Sequence, residues 1–530
     1  MRSEKGLLAG LALLAAGCQP AVVRLSASVE RPRQALVFFF VDGLDRARFD
    51  QMLADGELPR IRRLFIDGGV QVRDAVACLP PVTYPNCVSL ITGLLPGHHG
   101  IMGNYWFDRR TLEAHYYMRI DTYLTVNDHF TAPTLYDALP EAFTLNLQNH
   151  TRRGVSRTID NREAFAMNWF LGRYVEVDAM VGRSINDVVA CANRAGSWPR
   201  ILMTYYPGVD EVGHRHGADS PEYAAALRNI DAAVGRIADR LAAEGLASSI
   251  YYCLLADHSH CPILPARHLD LLKWLTDRRG LTILSEPMPR PEEYARWRRR
   301  MERYTAVAAV DAGRIVMVHL PGRHGWPDRP PERELIEWIT AKPSLLELPA
   351  VEMAAIRAGP ERARVMSSAG TAIVERRIEA GRKLYRVAES SGDVLRAGES
   401  AFAAFIRQGW HESRAWLAAS ARERYPDFVP QVVELFDSPR TGDVVVMAAE
   451  EWGFAFGPAE NGGHGSCVAR DMHVPLLFAG PDLPRGAVVP HARLVDVMPT
   501  VLGLLGEAHR LDRLPAIDGV NIADELRAAR

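Results

Sequence analysis

Four apolar runs, rich in β-branched and aromatic residues, each lead into a polar residue. They are Ala35–Val41 before Asp42, residues 200–206 before Asp210, residues 249–256 before Asp257, and residues 443–449. Runs of this length without polar alternation predict strands buried on both faces, the pattern of a parallel sheet covered by helices. A helix is predicted between the second and third runs. Ser220 caps it, Pro221 takes the first position, Glu222 lies in the first turn, and Leu227, Ile230, Val234, Ile237 and Leu241 hold one face until Gly245. Strand, helix and strand in that order predict an α/β fold with a doubly wound, mostly parallel sheet and its ligand site at the carboxyl edge.

The 530 residues leave room for more than this core. Residues 262–440 are rich in Arg, Pro and Trp, with short strand-like pieces such as those at 315–320 and 383–387, and predict a large inserted cap or side domain. The catalytic core is thus expected in two parts, 35–261 and 441–530. Sixty-two basic against 64 acidic residues give a net charge of −2, so no global positive field draws in a nucleic acid polymer or an anionic membrane.

Arg2 and Lys5 precede an apolar run, residues 7–17, that is too short to span a bilayer as a helix. It ends Leu14-Ala15-Ala16-Gly17-Cys18, which resembles a bacterial lipobox. The expectation is a signal peptide at 1–17, a linker at 18–34 and export to the periplasm, with a lipid on Cys18. Gln19, which is not aspartate, points to the outer membrane. Ala15 stands where leucine is usual, which leaves simple cleavage and release open. Of the other six cysteines, most are expected as buried thiols, and the sequence-near pairs Cys78 with Cys87 and Cys253 with Cys261 are the disulfides to test.

The chemistry is concentrated at the strand ends. Asp210 and His214 are four residues apart, one helical turn, and so share a face. Asp257-His258 directly follows a strand, Asp42 follows another, and His464 lies among glycines in Asn461-Gly462-Gly463-His464-Gly465. Together these carboxylates and imidazoles read as a metal site. In Pro80-Pro81-Val82-Thr83-Tyr84-Pro85-Asn86, Pro85 suits a first helical position, which sets Thr83 just ahead of a helix N-terminus that stabilises anions. A threonine hydroxyl needs a base or a metal to act as a nucleophile, and the ligand set offers the metal; without it, Thr83 reads as a capping residue.

Val41-Asp42-Gly43, Thr83-Tyr84-Pro85-Asn86, Leu90-Ile91-Thr92-Gly93 with Pro96-Gly97-His98-His99-Gly100-Ile101, Asp210 to His214, Asp257-His258 and His464-Gly465 occur in one order along the chain. That combination resembles the alkaline phosphatase superfamily and, within it, the nucleotide pyrophosphatase/phosphodiesterase family, over residues 35–261 and 441–505. The resemblance implies two zinc ions, other divalent metals being possible. Asp210, His214 and His464 match the ligands of one, and Asp42, Thr83, Asp257 and His258 those of the other. It further implies that Thr83 is the nucleophile and that Asn104 hydrogen-bonds a phosphoryl oxygen. Tyr84 and Tyr205 match rings that line the leaving-group pocket; strand-end packing is an equal reading for Tyr205. Ser259 and Cys87 depart from the family, which usually has glycine and histidine there.

Two divalent ions roughly 4 Å apart can clamp the attacking and leaving oxygens of an in-line displacement at phosphorus. The expected function is hydrolysis of small-molecule phosphoric esters, phosphodiester or nucleotide pyrophosphate bonds first, through a covalent phosphothreonine. Thr83 stands where a sulfatase needs cysteine or serine. A phosphomonoesterase stays open, with Arg152, Arg153 and Arg157 as cations for the second phosphate charge or as a solvated loop. So do an envelope headgroup phosphotransferase and a non-enzymatic envelope lipoprotein.

Overall fold

The computed structural model describes residues 22–285, 299–455, 457 and 459–530, so Cys18 and the expected signal peptide lie outside the described residues. The elements that build the site are, in chain order, β1 (Ala35–Val41), β2 (Val70–Val76), α1 (Thr83–Thr92), β3 (Thr144–Leu147), β4 (Ile201–Tyr206), α2 (Gly208–His216), α3 (Pro221–Ala243), β5 (Ile250–Leu255), β6 (Ala306–Asp311), β7 (Ile315–His319), β8 (Val351–Gly359), β9 (Val444–Ala448) and β10 (Leu476–Ala479).

The fold is α/β with a mixed central sheet of nine strands, in which β2, β10, β5, β1, β4 and β3 lie side by side in that order. β1 runs parallel to β4, with Leu36 opposite Ile201, and parallel to β5, with Ala35 opposite Ile250. β10 is antiparallel to both β5 and β2. All seven residues of β1 are buried, which accounts for its unbroken apolar sequence: a strand covered on both faces has no solvent side for polar residues. Because β4, β1 and β5 are parallel neighbours, their C-terminal ends coincide, and the residues that follow them gather at one edge. Helix α3 begins as expected, with the Ser220 hydroxyl accepting from the Tyr223 amide at 3.1 Å. It ends two residues before Gly245, which takes φ +72°.

The run at 443–449 does not join this sheet. Its strand, β9, is the antiparallel neighbour of β7 and β8 in a second nine-stranded sheet. An apolar run buried on both faces looks alike in a parallel and an antiparallel sheet, so periodicity could not separate the two. The second sheet also takes strands from the expected insertion, including β6, β7 and β8. The six described cysteines are buried free thiols, so neither candidate disulfide forms. His98, from the Pro96 to Ile101 motif, is held by Asp518 at 2.6 Å, Glu434 at 2.8 Å and Asp437 at 2.9 Å.

Candidate active site

Asp42 emerges from β1 with its amide on the Tyr206 carbonyl at 3.1 Å. One carboxylate oxygen accepts the Tyr205 hydroxyl. Gly43 follows at φ +59°, and a Cβ there would lie 2.3 Å from Oδ1 of Asp210, so only glycine lets the two strand ends meet. Asp257 accepts from the Gly43 amide at 3.2 Å and the His258 amide at 3.1 Å, both through Oδ1. Asp42 Oδ1 and Asp257 Oδ2 are buried and have no hydrogen-bond partner among the described residues. Two orphaned carboxylate oxygens in one buried place call for a cation.

The donor spacings fit one. A tetrahedral ion with bonds of about 2.0–2.1 Å spaces its ligand atoms by roughly 3.3 Å. His258 Nε2 lies 3.2 Å from Thr83 Oγ1, 3.3 Å from Asp42 Oδ1 and 3.5 Å from Asp257 Oδ2. On the other side, Asp210 Oδ2 lies 3.6 Å from His214 Nε2 and Asp210 Oδ1 lies 3.7 Å from His464 Nε2; donor atoms of Asp210, His214 and His260, and of Asp210, His258 and His464, also lie close enough together to share an ion. All three rings turn Nδ1 to a backbone carbonyl: His258 to Ser259 at 3.1 Å, His214 to Gly462 at 3.1 Å and His464 to Pro81 at 2.9 Å. Each Nδ1–H is thereby fixed as a donor, and each Nε2 lone pair is left for a metal. The rings of His258 and His464 stack at 3.4 Å and join the two halves.

The electrostatics point the same way. Burial alone would lower His258, yet Asp257 and Asp42 push it up to about 9, and Asp210 and Glu460 push His214 up to about 10. Against the cost of burial, His214, His260 and His464 hold Asp210 well below the usual carboxylate range. Burial and then Asp42 push Asp257 up. Protons and a divalent ion would therefore compete for these imidazoles.

Thr83 is itself the first residue of α1, not the residue before it, and Val82 is the cap. Pro85 becomes the third helical residue, which sacrifices nothing because the first four helical amides have no partner within the helix. Asn104 Oδ1 accepts the Tyr84 amide at 3.0 Å, which leaves the side-chain NH2 free to donate. A cavity of about 220 Å³ opens beside Asn104, Asp210, His214 and His464. Its aromatic walls are Tyr105, Tyr116 and Phe454. Tyr84 and Tyr205 are buried and do not line this cavity: the Tyr84 hydroxyl donates to the Tyr117 carbonyl at 3.2 Å, and the Tyr205 hydroxyl bonds Asp42. Arg152 pairs with Asp160 at 2.6 Å, Arg153 bonds the Phe130 carbonyl at 2.6 Å, and none of the three candidate arginines lines the cavity. The Ser259 hydroxyl caps nothing catalytic; it accepts the Arg46 amide at 3.1 Å and donates to Asp45 at 3.3 Å.

Three residues that sequence reasoning missed complete the site. Glu460 meets His214 Nδ1 at 3.1 Å, and His260 meets Asp210 at 2.7 Å. Asp311, at the end of β6, accepts the Asn104 amide at 2.5 Å and the Tyr105 amide at 3.2 Å. The next residue, Ala312, offers its carbonyl to the His464 amide at 3.0 Å. Asp311 had a signal, since it ends an apolar strand as Asp42 does.

The profile of the type I phosphodiesterase / nucleotide pyrophosphatase family matches residues 36–333. The chain belongs to that family, within the alkaline phosphatase superfamily. It is 25% identical over 247 residues to an uncharacterized pyrophosphatase/phosphodiesterase of Schizosaccharomyces pombe, covering 46% of this chain and 48% of that one. It is 27% identical over 259 residues to ectonucleotide pyrophosphatase/phosphodiesterase family member 1 of Rattus norvegicus, covering 45% and 26%. The match thus spans half or less of these relatives' length. Murine ectonucleotide pyrophosphatase/phosphodiesterase 5 shares the fold at a TM-score of 0.56 and 14% identity, over 94% of this chain and all of that one.

Proposed function

We propose that this protein hydrolyses small phosphodiesters, with Thr83 as nucleophile and a two-zinc centre held by Asp210, His214 and His464 on one side and Asp42, Thr83, Asp257 and His258 on the other. The observation behind this reading is the position of Thr83, at the N-terminus of α1 and 3.2 Å from His258 Nε2 within a buried donor set. Bound there, the ions supply Lewis acidity toward the phosphoryl oxygens and the nucleophile. Thr83 Oγ1 forms the bond to phosphorus as the bond to the leaving alcohol breaks, giving a phosphothreonine that water then hydrolyses. The Asn104 NH2 and the Thr83 amide, at the N-terminus of α1, donate to phosphoryl oxygens. Tyr205 fixes Asp42 through its hydroxyl.

A diester brings one negative charge and a second substituent, whereas a monoester brings a second charge that favours fixed cations. The cavity is walled by Tyr105, Tyr116 and Phe454, and among the described residues no lysine or arginine lines it. That favours the diester, or a nucleotide pyrophosphate linkage, over the monoester. The test compares kcat/KM for an aryl phosphodiester and its monoester on one preparation. Diester preference is expected. A monoester preference that collapses in Arg152→Ala, Arg153→Ala or Arg157→Ala would make the enzyme a phosphatase.

We also propose export, with a lipid on Cys18. The support is the charged and apolar leader before Gly17-Cys18. Among the described residues no helix is long and apolar enough to cross a membrane.

A further inference from the structure

His260 stands two residues beyond the ligand His258, and its side chain is fully buried. Its Nε2 lies 2.7 Å from Asp210 Oδ1. Asp210, His214 and His260 lie close enough together to be weighed as ligands of one ion, and the 2.7 Å contact decides against His260: donors that share a tetrahedral ion sit roughly 3.3 Å apart, as His258 Nε2 and Thr83 Oγ1 do at 3.2 Å, whereas 2.7 Å is a hydrogen bond. His260 Nδ1 is buried and has no hydrogen-bond partner among the described residues. The nitrogen that carries the proton in the neutral ring is therefore Nε2, since a buried N–H needs an acceptor and Asp210 is the one it has.

The pocket around the ring fixes its aim. A Cβ on Gly213, in α2, would lie 2.7 Å from Nε2 and 2.9 Å from Cδ2, so the helix backbone presses against the imidazole. A Cβ on Gly462 would lie 3.3 Å from Nδ1. His214 and His464 meet the ring edge-on, at 4.9 Å and 5.5 Å between centroids. Neither flank leaves space for the ring to swing away from Asp210.

We propose that His260 is a positioning residue of the metal centre, whose Nε2–H pins the Asp210 carboxylate and so sets the ion held by Asp210, His214 and His464. This rests on the metal site proposed above. Free to rotate about Cβ–Cγ, Asp210 would offer that ion a changing oxygen; hydrogen-bonded at Oδ1, it offers one arrangement. Outer-sphere partners of this kind typically change metal affinity 10–100-fold.

The test uses the zinc-loaded full chain dialysed against buffers of rising chelator strength, with zinc per chain measured at each step. Wild type should keep two equivalents over a shared range. His260→Leu, which fills the space without a donor, should lose one equivalent at roughly 10–100-fold weaker chelation while the other stays. His260→Gln, which restores an N–H donor, should recover most of that loss. Gly213→Ala, which displaces the ring and leaves its chemistry intact, should behave like His260→Leu. The melting temperatures of the metal-free proteins should stay together. Wild-type retention in His260→Leu, equal weakness in His260→Gln, or a metal-free melting temperature that falls in step with zinc loss would each overturn the proposal. A wild-type chain that binds fewer than two equivalents would overturn the site itself, before any variant is compared.

Discussion

Thr83 Oγ1 lies 3.2 Å from His258 Nε2, across 175 residues of chain. The hydroxyl reaches the donor set from a helix start, and the imidazole reaches it from a strand end, so neither depends on the other for its place. Thr83→Ala should therefore keep both metals while turnover falls by roughly a thousandfold or more. Thr83→Ser should restore part of it. Metal content and steady-state rates on the same samples check this, and near-normal turnover in Thr83→Ala would falsify the assignment of the nucleophile.

Removing an imidazole from the Asp210, His214 and His464 trio leaves two protein donors, too few to hold zinc tightly. His214→Ala and His464→Ala should each lose about one ion per chain, and a chelator should abolish activity in the wild type. Full metal content in both variants would count against the site. Because the ion must displace protons from His258 and His214, raised to about 9 and about 10, metal affinity should fall as the pH drops below that range.

Asp311 touches Asn104 only through the backbone amide, so its loss should disturb aim and leave the metals in place. Asp311→Ala should lower kcat/KM by roughly 10–100-fold, below the effect of deleting a transition-state donor outright. Asp311→Asn, which keeps an oxygen acceptor, should fall less. Equal losses in the two variants would show that the acceptor is not what matters.

His98 faces Asp437, Asp518 and Glu434, with Lys383 and Arg376 bound to the same acids. Burial lowers its pKa, but the hydrogen bonds it donates to these carboxylates push it up to about 11. A histidine raised in the folded state contributes in full below about 6.5 and loses that contribution as the pH rises toward 11. His98→Gln should be less stable than wild type by its widest margin near pH 6, and the margin should close as the pH rises. Thermal melts between pH 6 and 10 test this; a constant gap would exclude the proposed charge state.

If Cys18 is lipidated, intact mass should show a lipid adduct in the wild type, and Cys18→Ser should lose both the adduct and detergent partition. Equal mass and solubility would leave a released protein.

Much of the site was legible because its ligands follow apolar strands, and parallel neighbours end together. Asp42, Asp210 and Asp257 could be placed at one edge from β1, β4 and β5 alone. The second sheet was not legible in this way. β9 reads as the other strands do, and only its partners β7 and β8 reveal that it is antiparallel. The aromatic lining of the cavity was not legible either: Tyr84 directly follows Thr83 and Tyr205 lies five residues before Asp210, whereas the cavity beside Asp210 is lined by Tyr105, Tyr116 and Phe454. His260 and Glu460 were missed because their partners are set by contacts from other segments, which no local pattern records.

The turn after β6 grips both sides of the reaction centre, the Asn104 amide through Asp311 and the His464 amide through Ala312. The outer sheet is therefore no detachable accessory. Loosening it would disarm the chemistry while the inner strands stayed intact, so heat inactivation should run ahead of bulk melting. The same grip limits what can be exchanged by grafting: a transplanted outer region would have to bring an equivalent carboxylate and carbonyl to these two amides, whatever else it altered.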